Sequence, residues 1–163
     1  MGYLDYLIDK VIARAIDEIS RQGLSGQIVT MALYFDHEGA ALSVCADTLE
    51  NSLAHEEKAR DWSYRHLSEA IIKGDLTEAA LFNHSVSRSL SLGDFVLINL
   101  ARYDLEPDDD IQEMPENFFV ALAQSLNRNT KVCLSVCALD VPVVFACSTA
   151  NNEVGLVWTP PRP

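Results

Sequence analysis

The chain has 163 residues, 48% of them hydrophobic and 22% charged, the size and make-up of one folded domain, which excludes disorder and collagen-like repeats. Twenty-four acidic against twelve basic residues give a net charge of -12. This argues against a surface that tracks nucleic-acid phosphates, because such surfaces need clustered Lys and Arg.

Leu4, Leu7, Ile8, Val11, Ile12, Ala15, Ile16 and Ile19 recur at the three-four spacing that lines one helical face, so an amphipathic core helix opens the chain. Gly23, free to enter the left-handed region, is its natural C-terminal cap. Residues 28–35 and 40–46 are apolar runs separated by the turn residues Asp36-His37-Glu38-Gly39. They predict a β-hairpin with Gly39 at a positive φ.

Asp47-Thr48-Leu49-Glu50 has capping-box spacing with Asp47 as N-cap, and opens a helix to about Arg60. A second helix over 63–73 buries Tyr64, Leu67, Ala70 and Ile71 and stops at Gly74. Asp75-Leu76-Thr77-Glu78 repeats the spacing and starts a third, whose face carries Leu76, Ala79, Ala80, Val86 and Leu90. Trp62-Ser63-Tyr64, between helices, is read as packing, with a surface anchor as the alternative.

Residues 95–103 are short and apolar, and their aromatic and β-branched content tips the reading from helix to strand. Residues 104–116 form an acidic loop ending where Pro115 takes the first turn of a helix to about Asn127, which buries Phe118, Phe119, Leu122 and Leu126. Residues 131–139 read as a strand apolar on both faces, as at a sheet centre. Residues 141–147 read as another strand, which Pro142 moves to an edge or a bulge. A short strand over 154–158 and a Pro-rich tail over 159–163 complete the chain. The expected architecture is a single α+β domain over 1–158. Its small, mainly antiparallel sheet carries the N-terminal helix and several further helices on one face.

The most distinctive chemical feature is the acidic loop. Asp104, Glu106, Asp108, Asp109, Asp110, Glu113 and Glu116 supply seven of the twelve net negative charges, with no cation among them. Such a field attracts a basic protein and raises association rates by roughly 10- to 1000-fold; the blander alternative is a solvated loop. Asp108-Asp109-Asp110 lacks the alternating ligands and turn glycine of a calcium loop. His37, His55, His66 and His84 show no metal spacing, and Cys133 and Cys137 do not form Cys-x-x-Cys. No metal and no cofactor are expected.

All four cysteines lie in apolar stretches, where a thiol behaves as a small hydrophobe. Neither a Gly-x-Ser-x-Gly elbow nor a phosphate-cradling loop is present. The longest apolar runs fall far short of the ~18 residues that span a bilayer, and the first residues lack a basic signal-peptide region. The expected address is therefore cytoplasmic, with no membrane partner.

The succession of Ala32-Leu33-Tyr34, Asp36-His37-Glu38-Gly39, Leu42-Ser43-Val44-Cys45-Ala46 and Asp47-Thr48-Leu49-Glu50 resembles the start of the bacterial domain-of-unknown-function family numbered 4303. Trp62-Ser63 sits where that family carries Trp-Ser-Pro, with Tyr64 in place of the proline. The resemblance implies an immunity protein of bacterial toxin neighbourhoods, and it carries over no catalytic residue. The expected function is stoichiometric capture of a basic toxin domain through the acidic loop. The alternatives are a small enzyme whose site assembles only in space, and a homo-oligomeric scaffold with an exposed apolar patch.

Overall fold

A computed structural model describes residues 2–82, 88–106 and 116–162. Five strands form one sheet in the order β3-β2-β1-β4-β5: β1 (Ile28–Asp36), β2 (Ala41–Thr48), β3 (Leu97–Asp104), β4 (Val144–Cys147) and β5 (Leu156–Trp158). Neighbouring strands run antiparallel except β1 and β4, which are parallel. The helices are α1 (Tyr3–Arg21), α2 (Leu49–Lys73), α3 (Leu76–Leu81), α4 (Glu116–Arg128) and α5 (Thr130–Leu134). The arrangement is the expected α+β one, with a mainly antiparallel sheet.

Strand alternation gives the sheet two unlike faces. On one, Met31, Leu33 and Phe35 of β1, Leu42 and Val44 of β2 and Phe145 of β4 meet the apolar stripe of α1 and the Phe118, Leu122 and Leu126 side of α4. The α1 stripe is the one its spacing predicts, and Gly23 just beyond it has φ 72. Asp9 ties the two helices together, accepting from Arg128 Nη2 at 2.9 Å and from Asn129 Nδ2 at 2.8 Å. The other face is made of small side chains. Ala32, Cys45 and Ala146 cluster there with Phe95, while Thr30 and Ser43 are also buried.

Several expectations are corrected. Residues 131–139 are not a central strand: Thr130–Leu134 is α5, and only Cys137 reaches the sheet, by an isolated bridge to Ile28. Docking a short helix and the turn after it buries Cys133, Val136, Cys137 and Ala138 and leaves Val132 and Leu139 exposed, whereas a central strand would bury the whole run. Cys133 and Cys137 are thus one helical turn apart, with the Cys137 thiol donating to the Cys133 carbonyl. The strand expected at an edge over 141–147 lies inside the sheet between β1 and β5. Pro142 precedes β4, so its missing N–H takes no bond from the ladder.

The two helices expected over 47–60 and 63–73 are one, α2, and its cap is Thr48, whose Oγ1 accepts from the Asn51 amide at 3.3 Å. Asp47 instead lies within β2, one residue from its end, and is buried. Tyr64 and Ile71 are 71% and 55% exposed, not core residues, and Leu67 is half-buried. α3 stops at Leu81 with Leu76 and Ala80 exposed and Leu90 beyond its end; Val86 lies outside the described residues. The helices do not all share one face, because the root of α2 sits over the small-residue side, beside Val144 and Val157. In the hairpin turn the positive φ belongs to Ala40 (φ 45), not to Gly39.

At the chain's end Pro160 is buried, and the Arg162 guanidinium donates to the carbonyls of Ala138, Leu139 and Val141. Two stability changes follow from this architecture. Ala40→Gly removes the Cβ from a left-handed residue and is expected to stabilise the fold by about 1 kcal/mol. Phe145→Ala, which empties a fully buried site, is expected to cost about 3–5 kcal/mol. Urea denaturation midpoints check both.

Candidate functional site: an acidic sheet end and a helical arm

Antiparallel register brings the β1–β2 turn beside the end of β3. Ala41 pairs with Asp104, and the Leu105 amide donates to the Ala40 carbonyl at 2.9 Å. Arg102 therefore stands between two carboxylates. Its Nη1 donates to Asp36 Oδ2 at 3.1 Å and its Nε to Asp104 Oδ1 at 2.8 Å. The other Asp36 oxygen accepts from the amides of Gly39 at 2.9 Å and Glu38 at 3.1 Å. The Gly39 amide, the Arg102 guanidinium and the Glu38 amide hold the Asp36 carboxyl below the usual carboxylate range, against a smaller opposing effect of burial.

Here the need for Gly39 becomes clear. A Cβ at that position would stand 2.5 Å from Asp36 Oδ2 and 2.8 Å from Arg102 Nη2. Glycine is used for close approach, not for a left-handed φ. Exposed His37 lies over this turn, stacked on Phe119 at 5.9 Å and edge-on to Phe35 at 4.9 Å. On the other face of β1 the Tyr34 hydroxyl donates to Glu153 Oε1 at 3.3 Å; burial and then the Glu153 and Asp36 charges push it up to about 12.

Of the seven carboxylates expected to form the site, Asp104 ends β3, exposed but bonded to Arg102, and Glu106 follows it. Glu116 opens α4. Asp108, Asp109, Asp110 and Glu113 lie outside the described residues. The sheet adds Asp36 and Glu38 to the same end, with Arg102 as the cation bonded into it. Strand register puts them there, and in the sequence only the turn residues and the charge of Arg102 hint at it.

The second feature is α2. A polar knot fixes its root: Asp47 Oδ1 accepts from Asn51 Nδ2 at 2.7 Å and from the Val96 amide at 3.3 Å. The same Asn51 Nδ2 donates to the Asp94 carbonyl at 2.7 Å, and Ser89 Oγ donates to Asp94 Oδ2 at 2.6 Å. From this knot the helix runs 25 residues, about 37 Å at 1.5 Å per residue, yet only Ser52, Ser63 and Ala70 are buried along it. Past Gly74, whose φ of 76 closes the helix, α3 folds back so that Phe82 meets Trp62 and His66. Trp62 thus packs on the arm's own return and not into the domain core.

A hollow of about 420 Å³ lies beside the root, walled by Leu49, Leu53, Val144 and Val157 with Arg88 and Glu56 at its polar side. Arg88 is occupied, donating to the carbonyls of Val29 at 2.7 Å and Pro142 at 3.0 Å. Among the described residues no group of three or more His, Cys, Asp or Glu is placed to hold a metal, and no helix is long and apolar enough to cross a membrane.

All four cysteines are free and buried. Burial pushes the Cys133 and Cys137 thiols up to about 12 and Cys147 to about 11, and raises Cys45. In the unfolded chain these thiols ionise near pH ~8.5, so above that pH the unfolded state holds fewer protons and stability falls. Stability is expected to be insensitive to the thiols at neutral pH and to decline as pH rises from about 8.5 toward the folded values. Native protein is likewise expected to react with a thiol reagent only as fast as it unfolds. Denaturation midpoints across that pH range and the kinetics of labelling check this.

No protein-family model, no curated protein and no solved structure matches this chain, so the role of these surfaces rests on their own geometry.

Proposed function

We propose that this chain is a non-enzymatic, cytoplasmic protein-binding domain that occupies a basic partner one to one, as an immunity protein blocks a toxin domain. The observation that supports this reading is the acidic sheet end. Asp36, Glu38, Asp104 and Glu106 meet there by strand register, and five more carboxylates, Asp108, Asp109, Asp110, Glu113 and Glu116, follow directly in the chain. Arg102 is bonded to Asp36 and Asp104, which holds those two as a fixed platform; in this reading capture falls to Asp108, Asp109, Asp110 and Glu113.

Charges of this kind set association rate and choice of partner, while affinity comes from a few desolvated anchors. His37, exposed and backed by Phe119, is the aromatic ring placed among those charges. The buried, protonated thiols are not nucleophiles, in keeping with a binding role.

The test is charge reversal. Capture from the cells that encode the chain is expected to recover a basic protein in one-to-one ratio. Substituting Asp108, Asp109 and Asp110 together by Lys is expected to slow its association at low salt by about tenfold or more and to flatten the salt dependence. An unchanged association rate at low salt overturns the reading.

A further inference from the structure

The α2–α3 arm carries apolar side chains that the fold leaves uncovered: Leu53, Trp62, Tyr64, Ile71, Ile72 and Leu76 are each more than half exposed. Three of them form a line. Leu53, Arg60, Tyr64 and Ile71 follow one another at intervals of seven, four and seven residues along α2, which sets them on one stripe. This stripe lies beside, not on, the buried side marked by Ser52, Ser63 and Ala70.

The order along the stripe is symmetric. Leu53 and Ile71 lie equally far on either side of Trp62, and so do Arg60 and Tyr64. An antiparallel copy of the same helix, with its two-fold axis level with Trp62, therefore sets Leu53 against Ile71 and Arg60 against Tyr64. The first contact is apolar, and the second lays a guanidinium on an aromatic ring. Each would occur twice, as a two-fold interface requires.

Charge selects the same orientation. On the amino-terminal side of that axis α2 carries Glu50, Glu56, Glu57 and Asp61 against Lys58 and Arg60, whereas beyond it Arg65 and Lys73 outnumber Glu69. Antiparallel pairing opposes the acidic half to the basic half, and parallel pairing sets like against like. Leu53 is also a wall of the hollow beside the root of α2, so the pairing brings Ile71 of the second copy to the mouth of that hollow. We infer that the arm is a self-association element, pairing antiparallel with α2 of a second copy of this chain.

This inference stands apart from capture by the acidic end, which uses other residues. Sedimentation of the full chain at micromolar concentration is expected to give twice 18.0 kDa. Tyr64→Asp with Ile71→Asp, both at exposed positions, is expected to give the single-chain mass with an unchanged melting temperature. Mixed and oxidised, a Leu53→Cys population and an Ile71→Cys population are expected to cross-link to each other, while Leu53→Cys alone does not cross-link to itself. A wild-type chain that sediments as a monomer overturns the inference. So does a dimer that survives the double substitution, or a Leu53→Cys dimer linked to its own kind.

Discussion

The structure depends on the inequality of the two sheet faces. One is lined by Met31, Leu33, Phe35, Leu42, Val44 and Phe145, and these bulky side chains need the apolar sides of α1 and α4 to leave water. The opposite face consists of Ala32, Cys45 and Ala146 with the short polar Thr30 and Ser43. Small side chains offer little area, so that face has no use for a whole amphipathic helix; Phe95, Leu92 and Val154 cover its apolar cluster. The longest element among the described residues, α2, is therefore held to the sheet only at its beginning. The knot of Asp47, Asn51 and Asp94 fixes where it leaves, and the rest of its length is free to present a surface.

That division of labour explains what could be read without coordinates. α1 and α4 were legible because each repeats a helical period against one dense core, and the hairpin because two apolar runs flank a cluster of turn residues. The lean toward strand for 95–103 also agrees with β3, on the strength of β-branched and aromatic content. α2 was harder, since its apolar residues serve an exposed stripe and a root contact, and Trp62-Ser63-Tyr64 looks like a break when every apolar residue is assumed to face inward. Residues 131–139 misled for a different reason: Val132 and Leu139 are apolar yet more than half exposed, which hides the one-sided burial of Cys133, Val136 and Cys137 and makes a short docked helix look like a central strand. In the sheet, Pro142 suggested an edge because the position of β4 between β1 and β5 is a tertiary fact.

The candidate site was legible only as a charge run. Residues 104–116 declare themselves by composition, but the contribution of Asp36 and Glu38 depends on which residue of β2 faces Asp104. Arg102 lies two residues before Asp104 in the sequence; strand pairing makes it the bridge between a turn carboxylate and a strand-end carboxylate. Gly39 was recognised as a special position for the wrong physical reason. The left-handed backbone falls on Ala40, and glycine is needed next to it so that a carboxylate and a guanidinium can close over the chain.

The parallel pairing of β1 with β4 carries a consequence for how the molecule is made. Thr30 pairs with Val144 and Leu33 with Cys147, so the middle strand gains its second neighbour only when nearly the whole chain is available. During synthesis the amino-terminal hairpin has one ladder satisfied by β2 and one open edge, and long-range pairings of this sort form slowly. An unpaired edge on a nascent chain is a template for misassembly. That open edge persists until residues 144–147 have been made.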